Sequence, residues 1–191
     1  MANVSEKYGL KPVRKIDGSP FINAQNKYRI ASNYASAIFN GDLVRPATTG
    51  TIIRHVGNTS NPVLGVFNGC FYTDPTTQKA TWKNYYPGSI VASDITAFVI
   101  DDPDIVCKVD ADATFAVADI FKNFSLTAVT GNTTTGLSKM QLDVSVSGTH
   151  TTYMVRAIDI SQDPDNSDVS AANADVLVRI NNHFYRTGTG V

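Results

Sequence analysis

The densest set of potential metal ligands is Asp163-Pro164-Asp165-Asn166-Ser167-Asp168, whose oxygens are spaced like those of a calcium loop. An EF-type loop needs glycine at position six for its sharp turn and a bidentate glutamate at position twelve. Asp168 and Ala174 stand there instead, so the run reads as an Asp/Asn-rich turn; a looser structural Ca²⁺ stays open. Asp101-Asp102-Pro103-Asp104 pairs carboxylates that could do acid–base work, yet the proline and flanking apolar runs explain it as a turn that stops a strand. His55, His150 and His183 lack the one- or three-residue spacing of a zinc site. Cys70 could be a nucleophile only if the fold brought a histidine to it. No phosphate-binding loop, dinucleotide fingerprint or nucleophile elbow occurs. The expectation is therefore a chain that is not an enzyme, with no catalytic residue, metal or cofactor. An unrecognised hydrolase is the reading that a cleft of converging carboxylates, imidazole or thiol would revive.

The elements that must position these groups are strands. The 191 residues include 19 Val, 14 Ile and 20 Thr against 7 Leu, and β-branched side chains favour a pleated surface. The acids agree: 16 are Asp and one, Glu6, is Glu, and Asp prefers turns where Glu prefers helix surfaces. The fold class expected is all-β, in one domain that buries about 70% of its unfolded surface.

Three short strands anchor the chain: Gly41-Asp42-Leu43-Val44-Arg45, Thr51 to Val56, and Pro62-Val63-Leu64-Gly65-Val66-Phe67-Asn68-Gly69. Gly41-Asp42 opens a turn, since glycine reaches positive φ freely and Asp can bond its own backbone. Gly65 removes a side chain where another backbone should pass close, and Gly69 suggests a bulge. Before this block, residues 28–40 give one or two short strands. After it, residues 66–72 and 80–86 form a hairpin carrying Phe71, Tyr72, Trp82, Tyr85 and Tyr86, a cluster that suits a core, a subunit interface or sugar stacking. Strands follow at 95–100 and 105–109, then the one helix expected, at 113–121, plugging an end of the barrel. Residues 130–136 are a polar surface loop. Residues 140–147 alternate cleanly and should pair with 153–158. A polar loop at 161–173 precedes a last strand at 176–180, and 187–190 should fray.

Residues 1–30 form an N-terminal arm, leaving 31–191 as the barrel or sandwich domain. The arm holds six basic against two acidic groups, the remainder ten against fifteen. Such an arm either docks on something acidic or is a solvated tail. It also carries Tyr8, Leu10, Val13, Ile16, Phe21 and Ile22, too apolar for free disorder. It packs either on a partner or as a strap over its own core. The net charge of −1 gives no field towards nucleic acid or membrane, and no apolar run approaches the ~18 residues of a membrane span. The N-terminus has no signal-peptide pattern, so Cys70 and Cys107 read as buried thiols, able to join only if their strands are neighbours. Asn-X-Ser/Thr triplets at Asn3, Asn58, Asn123 and Asn132 are expected by chance in this composition.

The block at 41–69, with Gly-Asp-Leu-Val followed by Pro-Val-Leu-Gly-Val-Phe, resembles the small barrel of capsid decoration (cement) proteins of tailed bacteriophages. Gly9-Leu10-Lys11-Pro12-Val13-Arg14 and Gly18-Ser19-Pro20-Phe21 look like the N-terminal arm of such virion proteins. The runs at 67–72, 97–103 and 178–183 fit the same pattern. The resemblance implies a β-barrel, β-tulip-like in form, that trimerises and binds the major capsid protein on the outer face of the head. The protein would be made in the host cytoplasm and reside on the virion. The contact surface expected is Tyr8, Pro12, Val13, Arg14, Lys15 and Phe21; the scaffold is Gly41, Asp42, Val44, Leu64, Gly65, Val66 and Phe67. The alternative is a receptor- or glycan-binding module of a tail or head fibre, using Trp82, Tyr85 and Tyr86.

Overall fold

Short β-branched runs punctuated by turn residues give twelve strands in the computed structural model, which describes residues 3–57, 60–188 and 190–191. In chain order they are β1 (Lys11–Lys15), β2 (Asn26–Arg29), β3 (Leu43–Pro46), β4 (Ile52–Arg54), β5 (Gly65–Thr73) and β6 (Ala80–Lys83). Then come β7 (Thr96–Ile100), β8 (Ile105–Asp110), β9 (Asn123–Leu126), β10 (Leu142–Gly148), β11 (Val155–Ile160) and β12 (Asp175–Ile180). They form two antiparallel sheets, and the all-β class holds. Sheet 1 runs β1-β8-β12-β11-β9-β10; sheet 2 runs β2-β7-β5-β3-β4, with β6 beside the far half of β5.

The expected barrel is not closed. Each sheet ends in free strands, and at β1 the chain folds back on itself, Lys15 N–H donating to Ser19 O, so no other strand takes that edge. Two apolar cores result. One lies on sheet 1, where Cys107, Val109, Phe124, Val155, Val176 and Val178 meet Leu43, Val66 and Ile100 from one end of sheet 2. The other lies on the opposite face of sheet 2, where Phe67, Cys70, Tyr72, Ala97 and Val99 are covered by Ile30, Ile38, Tyr86 and Ile95 from connecting segments. The thiols sit in different sheets, buried and free.

Two further expectations are corrected, and the first thirty residues, expected as an arm packed on a partner or as a strap over their own core, join both sheets: β1 is an edge of sheet 1 and β2 an edge of sheet 2. Apolar Leu10, buried in the first core, and the unpaired edges of β8 and β7 draw this segment in. The helix at 113–121 reduces to one 3₁₀ turn, Val117–Asp119, preceded by an extended Ala116 with no side-chain cap. Phe121 N–H bonds Ala157 O instead of a helical carbonyl, and Phe115 is buried while Phe121 is exposed, so the spaced aromatics share no face. Finally, β10 does not pair with β11, because β9 inserts between them and bonds both. At the C-terminus Phe184–Arg186 form a second 3₁₀ turn. Of the tail expected to fray, Thr189 lies outside the described residues, as do Asn58 and Thr59 of the turn and glycosylation triplet before β5.

Candidate attachment surfaces

Of the residues expected as scaffold, Asp42, Val44, Leu64, Val66 and Phe67 are at most 2% exposed. Gly41 has φ +88°, and a Cβ there would stand 2.6 Å from Tyr8 O. A Cβ on Gly65 would meet Ile100 O at 2.3 Å, the close backbone that the sequence anticipates. Asp42 is a buried hub, accepting from Phe39 N–H at 2.9 Å, Arg54 Nε at 2.8 Å and Ser138 Oγ at 2.6 Å. Burial raises its carboxyl pKa, and the Arg54 charge and these donors pull it back.

Against this scaffold lies the leader. Leu10 N–H donates to Gly41 O, and Asn3 and Val4 exchange hydrogen bonds with Asn166, Asp168 and Ala172. The calcium-like run is thus the dock for the leader, and Asp163 pairs with Lys108 at 3.3 Å. Among the described residues no cluster of His, Cys, Asp and Glu could hold a metal. Tyr8 donates to Asp175 at 2.6 Å; burial and that bond raise its pKa.

Leader and scaffold enclose a cleft of about 410 Å³ that brings together Tyr8, Pro12, Phe21, Val66 and Phe67. Three expected contact residues therefore converge, while the other three do not enter this cleft. Val13 is 38% exposed, at the bulge between Pro12 and Arg14; Lys15 bridges Asp102 at 2.8 Å. The cleft's one carboxylate is Glu6, and neither imidazole nor thiol lines it. Burial pushes both thiols up to about 12 and His183 down to about 4. A thiol so raised stays protonated at neutral pH and is a poor nucleophile.

The proposed sugar-stacking set is split. Tyr86 is fully buried and Tyr85 stacks on Phe39 at 5.4 Å, so neither joins Trp82, which is 52% exposed. What sequence reasoning missed is the company Trp82 keeps: Phe71 opposite on β5, Phe98 at 5.1 Å, and Lys27 over the Phe98 ring at 5.8 Å. The alternating parity of Phe98 and the glycine at 69 were the only signals, because cross-strand register is not written locally.

Among the described residues no helix is long and apolar enough to cross a membrane. No protein-family model, curated protein or solved structure gives a significant match to this chain.

Proposed function

We propose that this chain is a virion structural protein that decorates and stabilises the outer surface of a tailed-phage capsid, acting by attachment without catalysis. The major capsid protein is its partner, and a homotrimer the unit that binds, as the resemblance at 41–69 implies. The observation that carries the reading is the free edge of sheet 1. β1 ends the sheet, and among the described residues its outer side meets the local fold-back through the Arg14–Pro20 bridge and Lys15 N–H to Ser19 O; apolar Val13 in β1, Ile16 just after it and Ile22 in the connection to β2 are exposed at 38%, 42% and 77%. A sheet edge flanked by exposed apolar side chains is a liability for a lone subunit and an asset for one whose side chains are covered on assembly. Several such modest contacts from one rigid oligomer sum to tight attachment.

The test is to mix the purified protein with empty capsids and image where density is added. Removing residues 1–27 would take away β1 and the leader that closes the cleft, so point variants are the cleaner probe. Val13→Asp with Ile22→Asp alters only exposed side chains and should abolish the added density. Undiminished decoration by that variant would refute attachment through this edge.

A further inference from the structure

The outer face of sheet 2 between β2 and β6 is built but uncovered, and we propose that it binds an anionic saccharide, with Trp82 as the stacking shelf and Lys27 and Arg29 as the charge contacts. This is a second binding function, separate in place from the β1 edge.

Register puts these residues on one face. Lys27, Phe98 and Gly69 lie opposite one another across β2, β7 and β5; Arg29, Thr96, Phe71 and Trp82 form the next row across β2, β7, β5 and β6. Directly opposed residues share a face. The shelf is held in place from beneath. Gly69, at φ +138° beside the bulge in β5, leaves the space into which the indole lies: a Cβ there would be 2.6 Å from Trp82 Cζ2. Phe98 props the same ring edge-on at 5.1 Å. Trp82 thus loses little freedom on binding, which is what a recognition platform requires. Bulges of this kind are common where a strand re-aims a side chain at a ligand.

The occupant follows from the surrounding chemistry. The apolar face of a pyranose suits an open indole, while its hydroxyl rim needs amides within reach. Asn68, the residue before Gly69, bonds Gln25 at 2.8 Å and Asn40 at 3.0 Å, and with Asn23 and Asn40 continues into the cleft. Lys27 and Arg29 are exposed and, among the described residues, neither forms an ion pair. Two cations with no counter-charge complement a carboxylated sugar. They are too few for a polynucleotide, whose affinity comes from many neutralised phosphates, and residues 31–191 carry fifteen acids against ten bases.

Trp82 is the sole tryptophan, so its fluorescence reports this face directly. The full chain is titrated with hexagalacturonate, hexamannuronate and sialyllactose, beside maltohexaose and oligo-dT. A saturable emission shift with an anionic saccharide, and binding to maltohexaose ~10-fold weaker, are expected. In affinity electrophoresis Trp82→Ala should abolish retardation, and Lys27→Gln and Arg29→Gln should each weaken it about 3- to 5-fold. Trp82→Ala should leave capsid attachment intact, which keeps the two functions distinguishable. No shift with any saccharide at millimolar concentration, an equal shift with maltohexaose, or a shift with oligo-dT alone would overturn the proposal.

Discussion

Asp42 and Asp110 are both fully buried, yet the surroundings of the two carboxylates differ. Asp42 receives three donors, one of them the Arg54 guanidinium. Asp110 receives one, Gln141 Nε2 at 2.9 Å; its other oxygen has no hydrogen-bond partner among the described residues. It also faces Asp175 directly across β8 and β12. Burial raises its pKa to about 7; the Asp175 charge adds to this, and the Gln141 bond works against it. Asp42 is a satisfied hub that fixes the turn into β3. Asp110 sits in a pair whose comfort depends on a proton. Burial alone does not say whether a carboxylate supports a fold; the donors around it do.

The largest effect should come from breaking the satisfied site. Asp42→Ala strands the Arg54 charge, whose side chain is 11% exposed, and orphans the Phe39 amide. It should cost about 3–5 kcal/mol in urea unfolding, enough to leave a marginal fold.

Next is the pH dependence of Asp110. A carboxyl whose folded pKa is raised stabilises the fold fully below the unfolded value near 3.8, and this stabilisation is lost as pH rises through about 7. The groups facing it are Asp175 on β12, Lys7 in the leader, Gln141 and Asp112. Asp110→Asn should remove a fall on the order of 3 kcal/mol between pH 4 and 8, read as a flattened profile of urea midpoints. An unchanged slope would show that Asp110 is not the group responsible.

A smaller loss is expected at the leader's latch on the same pair. Tyr8→Phe deletes the donor to Asp175 but leaves Lys108 at 2.8 Å, and should lower stability by ~1 kcal/mol. The smallest effect tests the contrast from outside: Lys15→Ala removes an exposed bridge to Asp102 and should leave the thermal midpoint unmoved.

Much of sheet 2 was legible in the residues. Asp42 beside Gly41, the bare Gly65 and the hairpin around residues 74–79 are local signals, because turn chemistry acts over a few residues. The partner of β10 was not legible. Its alternation marks a strand, but its neighbour β9 is chosen by which apolar face completes the core. How residues 1–30 pack was left open for a related reason: their prolines and glycines read as irregular, while the sheet edges that recruit them lie some 67 to 97 residues downstream, at β7 and β8. Of the sites, Tyr8, Pro12 and Phe21 do meet in one cleft, whereas Trp82, Tyr85 and Tyr86 part company because β6 ends at Lys83, after which Tyr85 turns onto Phe39 and Tyr86 bridges to Ile38 in the core.

The β-branched census, the scarcity of glutamate and the turn residues determined, unaided, that this chain is made of short strands, since those preferences are intrinsic to each residue's stereochemistry. Which strands lie side by side was decided only by the tertiary structure. So were the gathering of the first thirty residues into both sheets, the sharing of a face by Lys27, Phe98, Phe71 and Trp82, and the burial of Asp110 against Asp175. The reason is that register and burial are properties of the whole core, fixed by contacts between residues far apart in the chain.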